Sequence, residues 1–348
     1  INSIGVCPNQ GSKLTRLVTF LGLNLEQKMI NFVKSSLAVA VGIAALSTST
    51  FAGNYDGPSM DFSTVRPDFR VGFLGDEAAQ DILTRNACLK DYVEAAYNVP
   101  AKMFTFKDYA GTMESMLGGN LDYAWFGASG YAGIYLEDPN AAVPVLTRMQ
   151  PTGDTGYYSV MVARKDSGIS SLEDMKGKHL GFADPNSTSG YLIPSVELPE
   201  LYNVKIDDYF SKTSFNGGHE NNVLAVMNGD VDAGVTWVSG VGEWDEGYTS
   251  GNLRKMVDKG ILNMDDITQI WSSKLIPNGP IVMPKDDAYA KAREVMVGMK
   301  QWILKNDPKC SEDVANGIVK AWVPVDHSFY EVVVKARKAK IEAKKKSN

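Results

Sequence analysis

Three consecutive hydroxyl side chains, Ser187-Thr188-Ser189, sit between Gly181-Phe182-Ala183-Asp184-Pro185-Asn186 and Gly190-Tyr191-Leu192. The pattern is a short strand, a Pro-Asn turn and then a helix opened by Ser-Thr-Ser-Gly. A helix start gathers free backbone N–H groups and the positive end of the peptide dipoles, so it favours anions. Hydroxyls there donate to anionic oxygens without adding charge. Simple N-capping needs only one of them. The loop is not of the Walker type, because no Gly-Lys-Ser/Thr follows.

A second group is Asn216-Gly217-Gly218-His219-Glu220-Asn221-Asn222. The two glycines let the backbone pass close to a neighbour, and His219 opens the next helix. An imidazole there either donates to an anionic oxygen, gaining charge as it does so, or serves only as a cap or surface residue. Aromatic residues form the third group. Tyr109 starts a helix, Trp125 ends a strand, and Tyr157 and Tyr158 open another. Strand ends of open α/β sheets border the ligand crevice. Any one of these rings alone suits a core better than a pocket, and their clustering at strand ends shifts that balance modestly. Enzyme signatures do not appear: Gly127-Ala128-Ser129-Gly130 is not a nucleophile elbow, and neither His-Glu-x-x-His nor Gly-x-Gly-x-x-Gly occurs.

The elements that must position these groups alternate. Strand patterns fall at Phe69–Leu74, Ala101–Phe106, Leu121–Phe126, Tyr157–Ala163, His179–Ala183, Val231–Trp237, Ile267–Trp271 and Ile281–Met283. Helical patterns fall at Glu77–Tyr97, Tyr109–Leu117, Leu172–Met175, Ser189–Leu201, Glu220–Met227 and Asp287–Lys305. Leu89, Val93, Ala96 and Tyr97 recur at the spacing of one buried helix face. Such alternation predicts an α/β fold. With 348 residues, about twice a typical domain, the chain has room for two lobes. No low-complexity linker divides it, which suggests that the chain crosses between lobes more than once.

Composition narrows the classes. Hydrophobic residues make up 44% and charged residues 22%, with 35 basic against 41 acidic side chains and a net charge of −6. That balance argues against a nucleic-acid partner. Three His and three Cys exclude a multi-cysteine zinc site and argue against a His-rich one, and no cofactor is expected. The ten apolar residues Leu37–Leu46 follow Met29 and Lys34 and precede Ser47-Thr48-Ser49-Thr50-Phe51-Ala52. They are too short to span a bilayer and have the form of a secretory signal peptide over 29–52, with 1–28 as an upstream extension. In an oxidising compartment Cys88 and Cys310 have the option of bridging, which sequence leaves open. The tail from Lys335 carries seven basic residues and Glu342, as a solvated terminal helix would.

Several runs together resemble the phosphonate- and phosphite-binding proteins of ABC importers. They are Lys107-Asp108-Tyr109, Leu121-Asp122-Tyr123-Ala124-Trp125-Phe126-Gly127, Gly156-Tyr157-Tyr158-Ser159, Arg164-Lys165-Asp166-Ser167 and Ser171-Leu172-Glu173-Asp174-Met175-Lys176-Gly177-Lys178. Asp184-Pro185-Asn186-Ser187-Thr188-Ser189-Gly190-Tyr191, Gly218-His219 and Gly229-Asp230-Val231-Asp232-Ala233-Gly234 complete the set, in the family's order from about Phe69 to Pro280. The resemblance implies a type II periplasmic binding protein: two α/β lobes with mixed sheets, joined by two crossover strands, with the ligand in the cleft. Lobe 1 would comprise 53–155 plus 281–348, and lobe 2 would comprise 156–280. Ser187, Thr188 and Ser189 would hold the phosphonate oxygens, and His219, Tyr109 and Tyr157 would complete the shell. Members that take aminoalkyl phosphonates set carboxylates against the ammonium group. Ile276-Pro277-Asn278-Gly279-Pro280 offers no acid there, which favours a small ligand such as phosphite or methylphosphonate. A membrane permease would be the protein partner, the periplasm the location, and binding rather than catalysis the role. The competing class, a secreted α/β phosphatase-like enzyme, needs a metal cluster or an activated nucleophile, and three scattered His residues supply neither.

Overall fold

Short β-branched and aromatic runs form twelve described strands. In chain order they are β1 (Phe69–Phe73), β2 (Ala101–Thr105), β3 (Tyr123–Trp125), β4 (Ala142–Met149), β5 (Gly156–Arg164), β6 (His179–Phe182), β7 (Lys212–Phe215), β8 (Ala233–Val238), β9 (Ile267–Ser272), β10 (Ile276–Pro277), β11 (Ile281–Pro284) and β12 (Ala321–Pro324). The computed structural model describes residues 54–203 and 205–347. The signal-peptide segment 29–52 and the upstream stretch 1–28 lie outside the described residues. The helices are α1 (Ala79–Arg85), α2 (Ala87–Tyr97), α3 (Tyr109–Leu117), α4 (Ala128–Glu137), α5 (Ile193–Tyr202), α6 (Ile206–Tyr209), α7 (His219–Asn228), α8 (Asn252–Asp258), α9 (Ala290–Asn306), α10 (Pro308–Ala315) and α11 (Glu331–Ser347).

The strands make two mixed sheets. Sheet 1 runs β12-β4-β11-β3-β1-β2, with β1 parallel to β2 and β3 and the pairs of β11 and β12 antiparallel. Sheet 2 runs β10-β5-β8-β6-β7, with β9 also on β5 and parallel pairing only around β6. Helices supply the apolar faces that cover them. In α3, Tyr109, Thr112, Met113 and Met116 are buried at one-face spacing, and the Asp108 carboxylate caps its start by accepting from the Gly111 N–H at 2.9 Å. Two apolar clusters hold sheet 1, one with α2, α9 and α10 and the other with α3, α4 and α11. Two more hold sheet 2, one with α5 and one with α7 and α8.

The chain leaves sheet 1 after Met149 and returns after Pro277, and Asn278 ties the two crossings together. Its Nδ2 donates to the carbonyls of Arg148 (3.0 Å) and Gly156 (3.5 Å), and its own carbonyl accepts from Thr147 Oγ1 (3.1 Å) and Tyr330 OH (3.0 Å). Glycine is required next to it. A Cβ on Gly279 would stand 2.0 Å from the Phe126 carbonyl oxygen.

Two expectations change, and the pairing that the sequence left open is settled. The pattern Glu77–Tyr97 is two helices, because Asn86 folds back on Ile82 with both its backbone N–H and Nδ2. Cys88 and Cys310 are joined by a disulfide that clasps α2 to α10. The basic tail is not simply solvated: α11 begins at Glu331 and buries Val333 and Val334. Its Arg337 donates to Ser129 O (3.0 Å), Ser129 Oγ (2.9 Å) and Asn186 Oδ1 (2.6 Å), a contact that spans from α4 to the turn before the hydroxyl triplet.

Candidate functional site

Between the two sheets lies a cavity of about 190 Å³. Pockets for drug-sized molecules run roughly 300–1,000 Å³, so this one suits a smaller guest. Its wall includes all six residues singled out for the oxyanion, Tyr109, Tyr157, Ser187, Thr188, Ser189 and His219, together with Trp125. Tyr158 is not part of it and packs instead in an apolar cluster of sheet 2.

The triplet occupies a widened turn, Thr188–Leu192, in which the Leu192 N–H reaches back five residues to the Ser187 carbonyl at 3.0 Å. Such π-type turns inside a helix start are frequent at functional sites. Ser187 Oγ accepts from the Gly190 N–H (2.9 Å) and meets His219 Nε2 (3.1 Å). Thr188 Oγ1 accepts from the Ser129 N–H (2.8 Å) at the start of α4. Ser189 Oγ accepts from the Tyr157 phenol (3.4 Å). Capping and anion donation are therefore not exclusive, since a hydroxyl that accepts from N–H keeps its own proton to give. Gly190 has to lack a side chain: a Cβ there would fall 2.5 Å from Ala183 Cβ, 2.8 Å from Ser187 Oγ and 2.9 Å from His219 Cε1.

Several wall residues were not visible as site residues in the sequence. Asp76 accepts from Tyr109 OH (3.1 Å) and from the backbone N–H of His219 (3.2 Å), and it pairs with Lys255 (3.5 Å). Burial opposes its charge, but Lys255 and then His219 hold its carboxyl below the ordinary value. Glu77 is also held well below the ordinary carboxylate range, against its burial, by Lys255 (3.2 Å), Arg85 and Lys259 (3.0 Å). Lys259 also pairs with Asp81 (2.6 Å) and Glu220 (2.7 Å), so this ion network ties α1 to α7 and α8 across the cleft. Burial lowers the pKa of His219 despite Asp76, which keeps the imidazole neutral near pH 7, and raises the phenols of Tyr109 and Tyr157. The helix start at Gly127–Ser129, which failed as a nucleophile motif, faces the cavity through Phe126 and Gly127. Arg148 on β4 also lines the wall, only 2% exposed, and burial draws its guanidinium down to about 10. A signal for it does exist in the sequence, as the one charged residue in the run Ala142–Met149, where Thr147 is the only other polar side chain.

Comparisons with known proteins agree with this architecture. The phosphonates-binding periplasmic protein of Escherichia coli strain K12 is 31% identical over 219 residues, covering 62% of this chain and 60% of that protein. The phosphate-import protein PhnD of Mycolicibacterium smegmatis is 30% identical over 247 residues, covering 69% of this chain and 73% of that one. Among solved structures, PhnD1 of Prochlorococcus marinus in complex with methylphosphonate shares the fold at a TM-score of 0.63 and 18% identity, over 78% of this chain and 98% of that one. The binding protein component of an ABC phosphonate transporter from Pseudomonas aeruginosa does so at 0.63 and 24%, over 81% and 95%. The fold is that of the type II periplasmic binding proteins. The family described as ABC transporter, phosphonate, periplasmic substrate-binding protein matches residues 71–330, three quarters of the sequence, and the chain belongs to that family.

Proposed function

We propose that this chain is the solute-binding protein of an ABC importer and captures a small phosphorus oxyanion, a phosphonate or phosphite, in the cavity between its sheets. The observation that carries the reading is the convergence of a hydroxyl-bearing helix start, His219 and two phenols on one small cavity. Ser187, Thr188 and Ser189 donate hydroxyl protons to the oxyanion, the N–H groups of the turn add their dipoles, and Tyr109, Tyr157 and His219 close the shell. The family's place in the periplasm fits a leader over 29–52, and a permease in the membrane receives the loaded protein. The role is binding without turnover. A ligand panel tests this: phosphite, methylphosphonate and phosphate raise the melting temperature of the purified chain, with no phosphate released on incubation. A panel without any stabilising phosphorus oxyanion overturns the reading.

The lobes of the proposal are 53–155 plus 281–348, and 156–280. Sheet 1 takes β11 and β12 from the far end of the chain, so a cut near residue 156 divides sheet 1 between the two fragments. Limited proteolysis is expected to give nicked chains that stay associated. Two separately stable halves split near residue 156 would refute the division.

A further inference from the structure

The charges on the cavity wall do not balance. Its carboxylates, Asp76 and Glu77, already face Lys255 and Arg85. Arg148 is left over. Among the described residues no carboxylate lies within ion-pairing distance of it. Its Nη1 donates to the Ala315 carbonyl (2.9 Å), and its Nε, buried, has no hydrogen-bond partner. Nearby on the wall, Asn316 Nδ2 is buried and also unpartnered. Every orphaned polar atom of this wall is a donor, since the other is Arg85 Nε. Burying a guanidinium without a counter-charge is costly in a protein interior, so a cavity that keeps one is built around an incoming acceptor. Lys300 lies behind this wall, and burial draws its ammonium down to about 7. It is buried over the rings of Tyr123 (5.5 Å) and Trp322 (5.1 Å), and Trp322 pairs with Arg148 across β12 and β4.

None of this is used by the oxyanion grip, which comes from the hydroxyl triplet, His219 and the phenols. We infer that Arg148 and Asn316 form a second acceptor subsite, and that the preferred ligand is a phosphonate whose carbon chain ends in a carboxylate. The inference rests on the oxyanion reading above and deepens it. It also explains why the wall sets no free acid against an ammonium group: the subsite has the opposite sign. Arg148 presents a planar fork of donors to the carboxylate, and Asn316 donates beside it.

The test is calorimetric titration of the full chain with three probes of similar size, methylphosphonate, aminomethylphosphonate and phosphonoacetate. Wild type is expected to bind phosphonoacetate about tenfold to a hundredfold more tightly than methylphosphonate, the worth of one or two charge-assisted hydrogen bonds. In Arg148→Gln that ratio collapses toward one. Asn316→Asp introduces an acid at a position whose φ of 56° Asp also tolerates, and shifts the preference toward aminomethylphosphonate. This second variant decides the matter if a melting curve shows Arg148→Gln to be unfolded. Equal affinities for methylphosphonate and phosphonoacetate in wild type, or a ratio unchanged in both variants, overturn the subsite and leave the oxyanion reading standing. Failure of all three probes to bind overturns the subsite, and the oxyanion reading falls with it when phosphite and phosphate also fail to stabilise the chain.

Discussion

Replacing Cys88 by serine is expected to lower the stability of the folded chain by about 5 kcal/mol, from the closure entropy of a loop this long. The bond to Cys310 closes 222 residues, which include all of sheet 2 and most of sheet 1. In the chain-entropy account the denatured ensemble gains that freedom back when the bond is lost. Cys310 itself is buried among Val314, Trp322 and the α9 side chains, contacts that the substitution at Cys88 does not remove. Urea unfolding of wild type and Cys88→Ser, each followed by fluorescence and circular dichroism, measures the difference. A loss below about 1 kcal/mol would mean that the unfolded chain is already compact around this contact.

The second large effect is on affinity. Ser187→Ala or Thr188→Ala should each weaken oxyanion binding about tenfold to a hundredfold, because each leaves a charged oxygen without a donor in a closed site. His219→Ala should do at least as much and should also change the pH profile. Burial holds the imidazole pKa below 6.5, in spite of Asp76 and helped by Lys255. An anion beside Nε2 raises the pKa in the complex, so binding takes up a proton. Affinity then rises as pH falls through the pKa of the complex, and it levels off below that of the free protein. The ligand titrates near neutrality as well, so wild type and His219→Ala are compared with one ligand by calorimetry at several pH values. Parallel profiles would reduce His219 to a helix cap. Unchanged affinity in all three variants would remove the oxyanion site altogether.

What the sequence made legible follows from how locally each feature is encoded. The hydroxyl triplet, its glycine and the strand before it are contiguous, so their joint meaning is readable without tertiary structure. Leu89, Val93, Ala96 and Tyr97 show their helical face in the same way, and all four are fully buried. β4 was hidden because Pro144 interrupts its apolar run, and the structure accommodates it beside a register shift against β11. The edge strand β7, Lys212–Phe215, has no buried face to impose a period of two. In α4 residues all round the helix are buried, which leaves no polar stripe to mark a period of 3.6. Asp76, Arg148, Lys255 and Asn316 are polar residues far apart along the chain. Only the folding of two sheets against one another makes them neighbours, and no local pattern announces that.

Sheet 2 and its helices are spelled by one unbroken stretch whose two ends are hydrogen-bonded side by side, Gly156 to Pro277 and Tyr157 to Ile276. Such a stretch is exchangeable as a cassette, because cutting and rejoining at adjacent ends disturbs no strand order in the recipient. The hydroxyl triplet and His219 travel with the cassette, whereas Arg148 and Asn316 stay behind in the frame. On the function proposed above, a single segment swap would carry the grip on phosphorus apart from Tyr109, which stays in the frame, and would leave the choice of tail with the recipient.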